Sequence, residues 1–264
     1  IAGKKLVTRP IDKRDHYIKR CIGMPGDSLK IIDRQVYIDN EKAENPENIQ
    51  FRYFIPNINE FQGILGIREK LRDEGVSLED MMYLNNGIVV LNAKQKTYLE
   101  RAFPGIQVDH FTKDIQESIN WPGQETYPHD GKLSKQWDND NFGPIYIPQK
   151  NKSIKITKAN LPIYKRLIEV YENNKLEIKG GEIYINGVQT NEYKFKQDYY
   201  WLMGDNRSNS QDSRTWGFVP FDHVVGKPVF KWLSIDYNAK GFNKIRWNRM
   251  FTTVHGKGKP NSYL

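Results

Sequence analysis

Residues 17–27 read YIKRCIGMPGD, a short strand-like segment that runs into a tight turn at Gly-Met-Pro-Gly-Asp. Side chains alternate between the two faces of a strand, so Tyr17, Lys19 and Cys21 are expected on one face. Apolar neighbours strip water from a lysine amine and favour its neutral form, which can act as a general base. An exposed lysine on an edge strand would give the same pattern.

A second polar segment, residues 204–214, reads GDNRSNSQDSR. It follows the apolar run YYWLM at 199–203 and precedes WGFVP at 216–220. Asp, Asn, Arg and Ser side chains at this density can hold a neighbouring group by hydrogen bonds and ion pairs. A solvated, Asn-rich turn is the alternative that composition alone allows.

Two hairpins of similar sequence flank the middle of the chain, at 29–38 and 176–185, with turns at 33–34 and 180–181. Between them, hydrophobic spacing and cap residues predict helices at 67–74, 94–103 and 160–173. Residues 121–148 are rich in Pro, Gly, Asn and Asp, which predicts a long loop. One β layer interrupted by an insertion accounts for the repeated hairpin.

The chain has 264 residues and a formal net charge of +8, which is concentrated at its ends. Residues 1–28 carry +4, residues 199–264 carry +6 and the middle carries −2. Basic ends suit nucleic acid, an anionic membrane surface or plain solvent. There is no apolar run of about 18 residues that predicts a membrane span, and residues 1–15 lack the apolar core of a signal peptide.

Cysteine and histidine content narrows the chemistry. The single Cys21 excludes an internal disulfide framework and a multi-cysteine zinc site. Five histidines are scattered without the spacing of metal ligands, so neither a metal nor another cofactor is expected. Nothing matches a helix-turn-helix, zinc finger or RNA-recognition motif, so nucleic acid is not an expected partner.

Together, the two polar segments closely resemble the signature boxes of bacterial type I signal peptidases, membrane-anchored serine endopeptidases that use a Ser–Lys dyad. The first box has the pattern YIKR-x-x-G-x-PGD, which residues 17–27 match. The second has the pattern GDNR-x-x-S-x-DSR, which residues 204–214 match. The resemblance fades between about 45 and 140 and returns at 141–148, which read NFGPIYIP.

The resemblance implies a role for each matching residue. Lys19 would be the general base, and Ser210 would hydrogen-bond and orient it. Tyr17 and Ile18 would line the pocket for the small residue before the scissile bond. The expected structural support consists of the turn residues Gly23, Pro25, Gly26 and Asp27 and of the ion pairs Arg20–Asp205 and Asp212–Arg214.

The resemblance also implies a substrate and a location. Preprotein signal peptides would bind as extended strands, by β-strand addition, and would be cleaved after small-x-small residues. The parent protein would be anchored in the bacterial cytoplasmic membrane, with its catalytic domain on the outer side and the lipid surface as a partner. The fragment itself is expected to be soluble.

One feature of the family is missing. Its nucleophile is a serine in an S-x-M-x-P-T type box upstream of the base, and none of the ten serines here lies in that context. The chain begins at Ile1 rather than Met, so we expect a fragment that lacks the membrane anchor and the nucleophile segment. A lysine base without its nucleophile cannot perform acyl transfer, and the chain is therefore expected to be inactive by itself.

Two other functions stay open at this point. A peptidase-like binding or scaffold protein would carry the same boxes without catalysis. Alternatively, Ser210 could itself be the nucleophile, with Lys19 as its base.

The expected fold is mainly β, with antiparallel sheets. A signal-peptidase-like catalytic core is predicted from two separate segments, 1–28 and 197–264. Residues 29–196 are predicted to form an inserted α+β lobe, with the two hairpins at its ends and several helices between them.

Overall fold

A computed structural model describes residues 16–61, 64–123, 125–235 and 241–254. The chain divides into two compact units, one ending at His223 and the other starting at Val224. Strands dominate the first unit, and the named strands pair antiparallel throughout. The prediction of a mainly β, antiparallel fold is confirmed.

The strands are β1 (Arg20–Gly23), β2 (Ser28–Ile32), β3 (Gln35–Ile38), β4 (Glu41–Lys42), β5 (Gln50–Phe54), β6 (Ile88–Asn92), β7 (Asp109–His110), β8 (Phe142–Tyr146), β9 (Ser153–Lys155), β10 (Leu176–Lys179), β11 (Glu182–Ile185), β12 (Val188–Gln189), β13 (Glu192–Lys194), β14 (Tyr199–Met203), β15 (Val219–Pro220), β16 (Phe230–Lys231) and β17 (Thr252–Thr253). The α-helices are α1 (Ile64–Asp73), α2 (Ala93–Ala102), α3 (Lys113–Ser118), α4 (Leu133–Gln136), α5 (Leu161–Arg166) and α6 (Ser213–Trp216). Short 3₁₀ helices span Ile58–Glu60, Leu84–Asn86, Phe221–His223, Gly241–Lys244 and Trp247–Arg249, and a π-helical segment spans Leu167–Tyr171.

Small sheets make up the first unit. Their strand orders are β1-β14-β15, β4-β3-β2-β8, β6-β5-β7, β10-β11-β12 and β13-β9. In the second unit, β16 pairs with β17.

The two repeated hairpins form as predicted, as β2–β3 and β10–β11. Both turns place two successive residues at positive φ, 46° and 70° at Asp33 and Arg34, and 59° and 88° at Gly180 and Gly181. Positive φ at both central residues matches the twist of antiparallel strands in a two-residue turn. The two hairpins therefore share their turn geometry, although their turn residues differ.

The helix predictions succeed where a local cap decides the structure. Helix α2 begins at a capping box, in which Asn92 and Gln95 exchange side-chain and backbone hydrogen bonds. The predicted helix 160–173 instead splits into α5 and the π-helical segment. Asn160 does not cap it, because its side-chain oxygen accepts from the backbone N–H of Thr157.

Two local predictions are wrong, and long-range pairing accounts for the first. The predicted loop 121–148 contains α4 and β8, and β8 pairs with β2. Gly143 in β8 has a φ of 85°, and an added Cβ would lie 2.8 Å from the carbonyl oxygen of Leu29. Such an irregular strand carries Gly and Pro that usually indicate a loop. The strand-like segment that opens at Tyr17 becomes a strand only at Arg20, so Lys19 immediately precedes β1.

Two hydrophobic clusters fill the first unit. One packs buried side chains of β2, β8, β11 and β14 around Trp201, which is completely buried, together with α5. The other lies within residues 53–108 and packs α1 and α2 against β5 and β6. The first cluster joins side chains from 29–196 with side chains from 197–223, and the domain boundaries at 28/29 and 196/197 stay a prediction.

Within the described ranges, no helix combines the length and the apolar character that crossing a bilayer requires.

Replacing Gly217 by Ala is expected to lower the free energy of unfolding by about 2–4 kcal/mol. Gly217 ends α6 at a φ of 90°, and an added Cβ would lie 2.4 Å from the ring of Tyr127, which is buried. Gly66→Ala is the matched control, because it lies inside α1 with open space around its Cα. The free energy of unfolding of the control should rise by up to about 1 kcal/mol. Urea unfolding measures both, and equal effects would contradict the packing described here.

Candidate active site

The pairing of β1 with β14 brings the two polar segments together. Arg20 faces Met203 and Cys21 faces Leu202, so the residue before β1 lies beside the loop that follows β14. Lys19 Nζ donates a hydrogen bond to Ser210 Oγ at 2.9 Å, across 191 residues of sequence. The two residues with the strongest predicted roles are therefore in direct contact.

An open cleft of about 460 Å³ surrounds this contact. It is lined by Tyr17, Lys19, Arg52, Ser208, Asn209, Ser210 and Gln211. The Lys19 amine lies 5.8 Å from the centre of the Tyr17 ring, which in turn lies 5.9 Å from the Trp216 ring. The Lys19–Ser210 pair is thus accessible to a molecule in the cleft.

Gly204 makes room for the contact. A Cβ added at this position would lie 2.3 Å from Ser210 Oγ, 2.8 Å from Ser210 Cβ and 3.5 Å from Lys19 Nζ. Contacts below 3.0 Å force one of the groups to move. A side chain at 204 would therefore displace Ser210 from the lysine.

Arg20 and Asp205 form a bidentate ion pair beside the lysine. Arg20 Nε and Nη2 donate to the two carboxylate oxygens at 2.9 and 2.8 Å, and both side chains are 44% exposed. The Asp205 hydrogen bond raises the pKa of Arg20, against the opposite effect of burial. The pair links β1 to the start of the 204–214 loop, and its exposure limits what it adds to stability.

Asp212 and Arg214 form a second pair, which is buried completely. Arg214 Nε and Nη2 donate to Asp212 at 3.0 and 2.8 Å, and the backbone N–H of Gly204 donates to the same carboxylate at 3.0 Å. Burial disfavours the charged carboxylate, but the hydrogen bonds and charge of Arg214 hold the pKa of Asp212 below its usual value. The loop from 204 to 214 is thereby closed on itself.

Arg207 is buried and interacts electrostatically with the members of both pairs. Burial, with the nearby charge of Arg214, lowers its pKa to about 10. Its Nε finds no hydrogen-bond partner among the described residues. The carbonyl of Arg207 accepts from Arg214 Nη2 at 2.6 Å, so the two arginines are connected through the backbone.

The predicted turn after β1 fixes where that strand ends. Asp27 accepts from the backbone N–H of Met24 at 2.8 Å, and the N–H of Gly26 donates to the carbonyl of Ile147 at 2.8 Å. Gly26 has a φ of 102°, and Pro25 precedes it in the turn. A Cβ on Gly23 would lie 2.1 Å from the Ile147 side chain. These contacts anchor the strand to the main hydrophobic cluster.

The two residues predicted to bind substrate differ in position. Tyr17 lines the cleft and is 67% exposed. Ile18 is 79% exposed and is not among the residues that line the cleft. The role of both in binding a small substrate residue stays a prediction.

Residues of the middle segment that the sequence did not single out also build the site. Gln50 bridges the loop on both sides, since its N–H donates to the Asp205 carbonyl and its carbonyl accepts from the Arg207 N–H, both at 2.9 Å. The backbone N–H of Arg52 donates to Ser208 Oγ at 2.8 Å. The only sequence signal for this contact is an arginine inside the largely apolar strand QFRYF.

Acidic side chains of the middle segment hold the same loop from the other side. Asn206 Nδ2 donates to Asp80 at 2.9 Å, and Asn209 Nδ2 donates to Glu79 at 3.2 Å. Ser77 and Asp80 have the spacing of a capping box, which predicts the start of a helix. The structure has a turn there instead, in which Ser77 Oγ donates to the Asp80 carboxylate and accepts from the Asp80 N–H.

Over the ranges that the structure covers, no three His, Cys, Asp or Glu side chains group in a way that could hold a metal ion.

Sequence comparison with known proteins relates the two segments that build the site to a family. Residues 6–63 and 189–233 match the sequence profile of the family described as signal peptidase, peptidase S26. Signal peptidase I of Helicobacter pylori strain J99 is 36% identical over 201 residues, which is 71% of this chain and 60% of that protein. The chain belongs to the type I signal peptidase family.

Two further relatives match shorter stretches of the chain. Signal peptidase I of Buchnera aphidicola from Acyrthosiphon pisum is 35% identical over 58% of this chain and 54% of its own length. Signal peptidase I of Haemophilus influenzae is 41% identical over 26% of this chain and 20% of its own length. The chain therefore spans no more than 60% of these signal peptidases.

Replacing Asp212 by Asn is expected to lower the free energy of unfolding at pH 7 by about 3–5 kcal/mol, because Arg214 is left buried without its counter-charge. The depressed pKa of Asp212 means that its contribution is present above the unfolded value near 3.9 and is lost as pH falls through the lower folded value. When pH falls, the free energy of unfolding of the Asn variant should therefore decrease less than that of the unsubstituted chain. Urea unfolding between pH 2 and pH 7 measures both effects.

Asp205→Asn is the matched control, because its partner Arg20 is half exposed. This substitution should lower the free energy of unfolding by less than about 1 kcal/mol. A loss at Asp205 as large as at Asp212 would contradict the different weights given to the two pairs.

Proposed function

We propose that this chain carries the general base of a signal peptidase that removes signal peptides from exported preproteins by means of a Ser–Lys dyad. The observation that carries the proposal is the 2.9 Å contact of Lys19 Nζ with Ser210 Oγ, at the edge of an open cleft, between two segments that match the family. In its neutral form the amine would accept the proton of an attacking serine hydroxyl. It would later deliver that proton to the leaving amine of the substrate.

Each supporting residue has a part in this reaction. Ser210 would hold the lysine amine in one orientation, and the Arg20–Asp205 and Asp212–Arg214 pairs would fix the loop that carries Ser210. Substrate would lie extended beside β1, whose described pairing is with β14 on one side. Along its other edge, β1 pairs with no strand of the described residues. Main-chain hydrogen bonds along that edge would then bind the peptide, with small residues before the scissile bond.

The nucleophile is proposed to lie outside these 264 residues. None of the ten serines of the chain occurs in the serine box of the family. We therefore propose that the chain does not cleave preproteins by itself.

A second candidate places the nucleophile within the chain. Ser210 Oγ contacts Lys19 Nζ at a distance that also suits a serine nucleophile and its base. Covalent labelling of Ser210 by an acylating inhibitor would support this alternative. A third alternative is a peptidase-like binding or scaffold protein. In that case the protein expressed from the whole reading frame would bind peptides without cleaving them.

A membrane surface is the proposed partner, with the parent protein anchored in the bacterial cytoplasmic membrane and its catalytic part on the outer side. In the unit from Val224 onward, Trp232, Phe242, Trp247 and Phe251 are each at least 65% exposed. Basic residues alternate with them, including Lys231 and Arg249. Exposed aromatic and basic side chains together suit the interface of an anionic bilayer.

Lys19→Ala is expected to abolish signal-peptide cleavage, with a loss of at least about 10³-fold, because the reaction loses its base. The measurement is cleavage of a preprotein after small-x-small residues, with the protein expressed from its whole reading frame. Lys70→Ala, at an exposed position of α1, is the matched control and should leave the rate unchanged. Cleavage that persists in Lys19→Ala would refute the assignment of the base.

The purified chain is expected to bind vesicles that contain anionic phosphatidylglycerol more tightly than neutral phosphatidylcholine vesicles. Salt should weaken the binding, because it screens the charges. Trp232→Ser should reduce the bound fraction in a flotation assay. Val188 in the first unit is equally exposed, and Val188→Ser should leave the bound fraction unchanged. Equal binding to both vesicle types, or no effect of Trp232→Ser, would contradict the proposed surface.

A further inference from the structure

Arg52 brings a guanidinium group from the middle of the chain into the cleft around Lys19. It lies in β5, and its Nη2 donates to the carbonyl of Ser208 at 3.0 Å. The guanidinium carbon lies 5.5 Å from the ring centres of both Phe111 and Trp121. These contacts hold the side chain beside the loop that carries Ser210.

The cleft around this group is cationic. Of its lining residues, Lys19 and Arg52 are basic and none is Asp or Glu. The nearby Arg20 is neutralised by Asp205, whereas Arg52 forms no ion pair with any described residue. The remaining positive charge therefore faces whatever enters the cleft.

The setting of Arg52 favours an anionic ligand. Burial lowers its pKa, because the group has lost part of its hydration. The flat guanidinium can present two parallel N–H donors to a carboxylate, and a partly desolvated cation gains more from such a partner than a hydrated one. The aromatic rings beside it restrict the side chain, so less conformational entropy is lost on binding.

We propose that Arg52 is a specificity-determining residue whose guanidinium binds a carboxylate of the peptide that lies in the cleft. This inference rests on the proposed function, because it requires an extended peptide beside Lys19. The carboxylate has two possible sources. One is an Asp or Glu side chain of the preprotein near the cleavage site, and the other is the new C-terminal carboxylate of a released signal peptide.

A purely structural role for Arg52 makes a different prediction. If Arg52 only supports the loop through Ser208, its removal weakens every peptide equally. If it binds a carboxylate, its removal weakens only peptides that carry one. The ratio of affinities for an acidic peptide and its amide counterpart separates the two roles.

The experiment uses the purified 264-residue chain and fluorescent peptides that contain a small-x-small cleavage site, with binding measured by anisotropy. One set compares Asp with Asn at successive positions around the site. A second set ends at the small residue, with either a free carboxylate or an amide. We expect a preference of about fivefold for the acidic member in at least one set, as for a single partly exposed ion pair. The preference should fall when ionic strength rises from about 0.05 M to about 0.5 M.

Three variants locate the preference. Arg52→Gln should reduce the ratio to about one, and Arg52→Lys, which keeps the charge without the two-pronged geometry, should retain part of it. Arg72→Gln removes the same charge from an exposed position of α1 and should leave the ratio unchanged. Thermal unfolding of each variant checks that the fold is kept.

The outcomes separate this inference from the proposed function. Equal affinity for acidic and amide peptides, or a preference that survives in Arg52→Gln, overturns the role of Arg52 while peptide binding still supports the signal peptidase proposal. Binding of no peptide at all overturns both. A preference confined to the set that compares Asp with Asn identifies a substrate side chain. A preference confined to the set that compares a free C-terminal carboxylate with an amide identifies the cleaved product.

Discussion

The carboxylate of Asp212 is the group on which the geometry of the site depends. It is completely buried and accepts hydrogen bonds from Gly204 at one end of the 204–214 loop and from Arg214 at the other. A buried charge is tolerated only when such donors replace the lost water, so the loop can close in few other ways. Ser210 lies on this closed loop, and Gly204 leaves just enough room for it beside Lys19. The contact between the Lys19 amine and the Ser210 hydroxyl is therefore a consequence of one buried ion pair and of one missing side chain, that of Gly204.

The sequence predicted those parts of the fold that local chemistry decides. Two positive φ values define each hairpin turn, and the turn at Asp33 and Arg34 was readable from its neighbours. The same holds for α2, whose capping box lies within four residues. Prediction from the sequence failed where a distant partner decides the structure. Strand β8 forms because β2 pairs with it, whereas its Gly and Pro content suggests a loop. Secondary structure that depends on pairing across about a hundred residues leaves little trace in the segment itself.

The candidate site shows the same division. Lys19 and Ser210 could be predicted because both lie in segments with a recognisable pattern, and the structure brings them to 2.9 Å. The support from the middle of the chain could not. Gln50 bonds the backbone on both sides of Asn206, so it uses no side chain and leaves no signature in residue types. Asp80, which holds the Asn206 side chain, looked like part of a helix cap. The contacts that bind the middle segment to the loop therefore use backbone groups and common polar side chains, which give no distinctive sequence pattern.

Net charge by segment is a poor guide to the charge that a ligand meets. The basic ends of the sequence carry the excess charge, but in the described structure Arg20 and Arg214 from those ends are paired with carboxylates. Arg52 comes from the near-neutral middle, and it reaches the cleft without a carboxylate partner among the described residues. Electrostatic attraction depends on distance and on desolvation, and a sum over a sequence contains neither quantity. One guanidinium beside Lys19 without an ion-pair partner among the described residues therefore contributes more to the charge of the cleft than several paired ones nearby.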